Sequence, residues 1–94
     1  MATKMTPAEI STALQTVAGW EADGESAIAK AFKFEDHIEA MGFVNRVALA
    51  AEKMDHHPEL TIVYNNVSIR LNTHDVGGVS AKDFELAAAI ERYA

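Results

Sequence analysis

Two apolar runs, at residues 60–64 and 67–73, follow one long helical pattern and are joined by Asn65-Asn66. In the second run Val67, Ile69, Leu71 and Thr73 fall on one side and Ser68, Arg70, Asn72 and His74 on the other, a period of two that only a strand can bury on one face. Asn tolerates positive φ, so Asn65-Asn66 predicts a two-residue hairpin turn. A hairpin cannot stand alone in water; it needs a cover for its apolar face. It also brings its two ends together. Three of the chain's four histidines lie at those ends: His56 and His57 before the first run, and His74 closing the second. Glu52 and Asp55 lie within a turn upstream.

The rest of the chain reads as the support for this unit. Thr6-Pro7-Ala8-Glu9 is a helix start, with Thr6 as cap, Pro7 at the first helical position and Glu9 completing a capping box. Ile10, Leu14 and Val17 mark one face, and Gly19 is placed to end the helix. Trp20-Glu21-Ala22 is a short strand and Asp23-Gly24 a turn signal. Residues 27–34 alternate as a strand, with Ile28, Phe32 and Phe34 on one side, interrupted by Lys30. Residues 35–54 form the longest helix, which Pro58 brings to an end by disfavouring helical geometry at His57. Its apolar residues form two stripes: Ile38, Met41, Val44, Ala48 and Ala51, beside Phe43, Val47, Ala50 and Met54. Together they make an arc too wide for one surface. The helix is therefore either buried all round or also in contact with another subunit. Gly77-Gly78 reads as a flexible connector. Ser80 to Asp83 is a second capping box, opening a helix with Phe84, Ala87, Ile90 and Ala94 along one side. Residues 1–5 read as a frayed terminus.

The order helix, two strands, helix, two strands, helix predicts an α+β fold: two layers, with a four-stranded antiparallel sheet and helices on one face. At 94 residues, 1–94 is expected to be a single domain with a modest core, a size at which self-association is a common route to stability. The net charge of −6 disfavours direct binding to a nucleic-acid backbone or an anionic membrane surface. No run approaches the roughly 20 apolar residues of a membrane span, and the first residues lack a signal-peptide core. With no cysteine there is no disulfide or thiolate chemistry, and cytoplasmic residence is expected.

Histidine is the natural acid–base residue near neutral pH. Three around one hairpin, with carboxylates nearby to orient them, can both donate and accept protons around a small molecule. One rival is a zinc- or iron-type set of three histidines and a carboxylate. Against it, adjacent His56 and His57 diverge if the backbone is extended, and no HExxH motif is present. A second rival is structural, since a histidine beside proline is commonly a turn residue. His37, in the first turn of the long helix, reads as surface. Asp83 reads as a helix cap before a site residue, and Tyr64 as a packing residue.

The spacing Glu52, three residues, His56-His57-Pro58, five residues, Tyr64, nine residues, His74, eight residues, Asp83 resembles the signature of the pterin-4a-carbinolamine dehydratases. The similarity also takes in residues 43–53 and spans nearly all of the chain after Trp20. The resemblance implies an α-β-β-α-β-β-α fold in a homodimer or homotetramer. Subunits would join sheets edge to edge, and dimers would pair through the long helix. The implied reaction is dehydration of 4a-hydroxytetrahydrobiopterin to quinonoid dihydropterin, which recycles the pterin cofactor of aromatic amino-acid hydroxylases, with no metal or redox cofactor. By the same resemblance His56, His57 and His74 are catalytic: His56 and His74 as acid–base residues near the hydroxyl, His57 for positioning and proton transfer. The resemblance further implies that Pro58, Leu60, Asn72 and Thr73 contact the pterin and that Glu52 and Asp55 orient the histidines or bind its ring. Tyr64 and Asp83 belong to the motif with a structural role open. Leu60 departs from the family, which commonly has Trp there, and this bears on affinity and substrate range. Relatives of this fold also serve as a dimerisation cofactor of a transcription factor or as assembly factors. A non-catalytic partner-binding role, with a hydroxylase or a transcription factor as partner, is therefore the alternative.

Overall fold

Both predicted capping boxes form. Thr6 Oγ1 accepts from the Glu9 amide while Glu9 Oε1 accepts from the Thr6 amide, and Ser80 and Asp83 make the equivalent exchange. From these starts the computed structural model, which describes residues 2–94, runs α1 (Pro7–Ala13), β1 (Glu21–Asp23), β2 (Ala27–Lys33), α2 (His37–Met54), β3 (Glu59–Val63), β4 (Asn66–Leu71) and α3 (Ala81–Glu91). Short 3₁₀ turns cover Leu14–Thr16 and His74–Val76. The strands form one antiparallel sheet in the order β1-β2-β4-β3, the α+β architecture expected from the element order.

β4 is central because its alternation is the cleanest. Val67, Ile69 and Leu71 are buried while Ser68 is exposed. Register aligns Phe32, Val67 and Ile62 in one row and Lys30, Ile69 and Leu60 in the next. α2 covers this face with Ala40, Phe43, Val44, Val47 and Ala51, and α3 with Leu86, Ala87 and Ile90. The Phe43 ring sits 4.9 Å from Phe32 and 4.8 Å from Phe34, an aromatic centre whose loss would cost about 3–5 kcal/mol. Lys30, the interruption in β2, points into this layer. Its ammonium bonds Glu91 and the Ala18 carbonyl and lies 4.7 Å from the Phe32 ring centroid.

Several local expectations are corrected by tertiary contacts. The hairpin turn falls on Tyr64-Asn65, one residue earlier than predicted, because Val63 pairs with Asn66. Asn65 is gripped by Phe34: its carbonyl accepts from the Phe34 amide and its side-chain amide donates to the Phe34 carbonyl, both at 2.8 Å. Tyr64 consequently takes φ 53, a left-handed conformation that costs a bulky residue about 1–2 kcal/mol. His37 is exposed, as expected, and its Nδ1 bonds the Tyr64 carbonyl at 2.7 Å and so caps that turn. α1 ends at Ala13 in a 3₁₀ turn, well before Gly19. The buried face of α2 draws on both predicted stripes, while Ile38 and Ala48 are exposed. α3 ends at Glu91, so Ala94 lies past its end and is exposed, while Ala87 and Ile90 of the expected side are buried. Gly78 is no flexible connector. It bridges Thr73, it is buried, and a Cβ there would meet Lys4 Cε at 2.9 Å and the Glu25 carbonyl at 3.0 Å. Within the segment expected to fray, Met5 donates its amide to the Val79 carbonyl and packs on the core; Met1 lies outside the described residues.

Candidate active site

Met54 ends α2, and Asp55 turns the chain with φ 51. This left-handed turn lets the His56 amide reach back to the Ala51 carbonyl at 3.0 Å. It sends His56 inward and leaves His57 outside, so the adjacent imidazoles diverge. Pro58 then starts the extended run into β3.

His56 is 9% exposed. Its Nε2 lies 2.6 Å from Oδ1 of Asp83, a carboxylate that is fully buried. Asp83 Oδ2 accepts from the Ser80 amide and from Thr73 Oγ1, both at 2.9 Å, and Thr73 Oγ1 is 2.7 Å from Ser80 Oγ. Buried polar groups cost free energy unless paired, and among the described residues no buried side-chain nitrogen or oxygen lacks a partner. Asp83 is thus both the cap partner of Ser80 and the acceptor for His56. A single carboxylate ties the end of α2 to Thr73, the residue before His74.

His57 Nε2 lies 2.7 Å from Glu52 Oε1, with both side chains largely in solvent. Of the histidines that Glu52 is expected to orient, it meets His57. The groove beside this pair has a volume of about 660 Å³ and is walled by Asn45, Ala48, Leu49, Pro58 and Leu60. Leu60 is half-buried and packs partly against the core. His74 begins the 3₁₀ turn, exposed, with no side-chain partner among the described residues. Asn72 is half-buried.

Three further residues of the expected set lie as follows. The Asp55 carboxylate contacts no histidine among the described residues; its backbone turn does the positioning. The Thr73 hydroxyl faces the buried network rather than an open pocket. Tyr64 sits at the far end of β3, about 17 Å of strand from Pro58, so one chain does not bring it to the histidines. By sequence Ser80 is a cap alone. The signal of its wider role was that its capping partner, Asp83, is also the last residue of the signature.

The family described as pterin 4 alpha carbinolamine dehydratase matches residues 3–93. The chain belongs to this family. A relative from Gloeobacter violaceus, provisionally named pterin-4-alpha-carbinolamine dehydratase 2, is 53% identical over 93% of this chain and 98% of its own. One from Rhodopseudomonas palustris, provisionally named as a pterin-4-alpha-carbinolamine dehydratase, is 52% identical over 100% of this chain and 94% of its own. The crystal structure of a transcriptional coactivator/pterin dehydratase from Brucella melitensis superposes with a TM-score of 0.94 at 41% identity, covering 98% of this chain and 99% of that one. A pterin dehydratase-like protein described as a RuBisCO assembly factor of the alpha-carboxysome shares the fold, with a TM-score of 0.69 at 22% identity over 81% of this chain and 89% of that one. In this member of the family both histidines of His56-His57-Pro58 meet a carboxylate. No helix of the described residues is long and apolar enough to cross a membrane.

Proposed function

We propose that this chain dehydrates 4a-hydroxytetrahydrobiopterin to quinonoid dihydropterin by histidine acid–base catalysis. The observation that carries the reading is the pairing of two adjacent imidazoles with two separate carboxylates, His56 with Asp83 and His57 with Glu52, while His74, next to Thr73 of the same network, stays exposed. In the reaction the C4a–O bond breaks with its electron pair going to oxygen, and an acid supplies the proton that lets water leave. An adjacent pterin nitrogen shares its lone pair with C4a, and a ring N–H proton then passes to a base. One proton enters and one leaves, so two histidines in opposite protonation states suffice. His56 and His74 exchange these protons, and His57, held by Glu52, positions the substrate. Pro58 and Leu60 offer apolar contact to the ring, with polar contacts from Asp55 and from the chain at Asn72 and Thr73. The carbinolamine already loses water unaided, so an acceleration of about 10²–10⁴ makes a useful enzyme.

The test follows dehydration of freshly generated 4a-hydroxytetrahydropterin by ultraviolet absorbance. Wild type accelerates it, and His57→Ala lowers turnover by about tenfold or more with the oligomer intact. A wild-type rate in that variant would sink the assignment.

A second reading, partner binding without catalysis, is favoured by one specific feature. Ile38, at 82%, and Leu49, at 72%, are exposed on α2, and Leu49 belongs to the apolar wall of the His57 groove. The same surface supports a homodimer or homotetramer. A partner recovered stoichiometrically, and still recovered after all three histidines are replaced, would move the weight to this reading.

A further inference from the structure

We infer that the Asp83–Thr73–Ser80 network fixes neutral His56 as the tautomer protonated on Nε2, so that Nδ1 is the atom that exchanges a proton with the substrate and Thr73 and Ser80 are positioning residues. The consequence for turnover rests on the dehydration reading; the tautomer itself does not.

Each hydrogen bond in the network has one possible sense. The Ser80 amide has a hydrogen to give and no lone pair to offer, so Asp83 Oδ2 must accept from it at 2.9 Å. The same oxygen accepts the Thr73 hydroxyl proton at 2.9 Å. That proton is then committed, and the 2.7 Å contact between Thr73 and Ser80 hydroxyls must be donated by Ser80. Ser80 Oγ meanwhile accepts from the Lys82 amide at 3.3 Å. Hydroxyl and amide donors all converge on the carboxylate. The remaining oxygen, Oδ1, faces His56 Nε2 at 2.6 Å. A proton shared between carboxyl and imidazole rests on the stronger base, the imidazole, so Nε2 is the donor.

A neutral ring with its hydrogen on Nε2 carries its lone pair on Nδ1. Nδ1 makes no hydrogen bond to the described residues, and no buried side-chain polar atom among them is left without a partner. Nδ1 therefore reaches solvent. His57 differs: its Glu52 partner is exposed, water can replace the contact, and among the described residues no rigid donor array stands behind the carboxylate.

The network also dictates what an amide would do in place of the acid. In Asp83→Asn, the Ser80 amide compels the side-chain oxygen to take the Oδ2 place. The Asn amino group then faces His56 and donates to Nε2, which drives the ring proton to Nδ1. The same logic makes Asp-to-Asn changes in serine-protease triads costly through the wrong tautomer.

Nitrogen NMR of ¹⁵N-histidine-labelled protein, at a pH where the ring is neutral, reads this with no substrate. The expected wild-type spectrum shows His56 Nε2 protonated and Nδ1 bare, and Asp83→Asn exchanges the two. Turnover in Asp83→Asn falls by about 10²–10⁴. Thr73→Val keeps the tautomer but loses turnover severalfold, and Thr73→Ser, which restores the hydroxyl, recovers most of it. A purely structural Asp83 would lower stability and leave the tautomer unchanged. A wild-type His56 protonated on Nδ1, or an Asn variant still protonated on Nε2, overturns the inference. If the Asn variant does not fold, the wild-type spectrum decides alone. The expected tautomer in a protein that fails to accelerate dehydration would overturn the proposed reaction and leave this inference standing.

Discussion

His56 and His57 are neighbours in the chain, and each meets a carboxylate at nearly the same distance, 2.6 Å to Asp83 and 2.7 Å to Glu52. Their surroundings differ sharply: side-chain exposures are 10% and 0% for the first pair against 58% and 77% for the second. Distance alone would rank the two as equal. Burial separates them, because water competes for every hydrogen bond of the outer pair and for almost none of the inner one. The inner pair is also backed by Thr73 and Ser80, whereas the outer pair has no such support among the described residues. The inner pair is thus a fixed part of the fold that can hold one proton arrangement, and the outer pair an adaptable arm beside an apolar groove. The Asp55 turn, at φ 51, is what makes adjacent residues serve such different ends.

The largest break in this contrast comes from Asp83→Ala. It leaves the Ser80 amide, the Thr73 hydroxyl and His56 Nε2 without their acceptor inside the protein. A loss of about 3–5 kcal/mol is expected, a large share of the roughly 5–15 kcal/mol that holds a typical domain. Urea unfolding reads it as a lower midpoint at similar slope, and a midpoint within error of wild type would show that the network carries little. Ser80→Ala should cost about 1–2 kcal/mol, as it removes both a helix cap and the donor behind Thr73. A value near zero in thermal or urea melts would reduce Ser80 to a bystander. For Glu52→Ala the expected loss of stability is under about 1 kcal/mol, and the wild-type contribution should fade further in high salt. A salt-insensitive loss of several kcal/mol would mean that the outer pair is buried in solution, as an oligomer contact over the groove would make it. The smallest effect belongs to Asp55→Gly. Glycine adopts the left-handed turn without steric cost, so stability should change by less than about 1 kcal/mol, in the upward direction. Dehydration rates on the same protein separate the two roles of Asp55, because a lost rate in a fully stable variant would assign its carboxylate to the substrate.

What was legible in the chain was local. The capping boxes at Thr6 and Ser80 need only residues three apart, and both form. The alternation of β4 needs only a period of two, and Val67, Ile69 and Leu71 are buried as it demands. Lys30 announced itself as an exception in β2 and found Glu91. The order of elements likewise led to the α+β sheet, and the ordered spacing from Glu52 to Asp83 led to the family.

What tertiary structure alone decided was which of these pieces touch. His56 and Asp83 are 27 residues apart, and no local rule selects that carboxylate over the nearer Glu52 and Asp55. The choice follows from where α3 docks on the sheet and from the Asp55 turn that aims His56 at it. The hairpin turn moved to Tyr64-Asn65 because Phe34 holds Asn65 from another strand, and that grip outweighs the turn preference of two asparagines. Gly78, a flexible connector by its sequence, serves as a close approach to Lys4 and Glu25. Periodicity and caps are properties of neighbours along the chain, so sequence determines them. The pairing of an acid with an imidazole depends on burial and on the packing of distant elements, and these come into being only when the core closes.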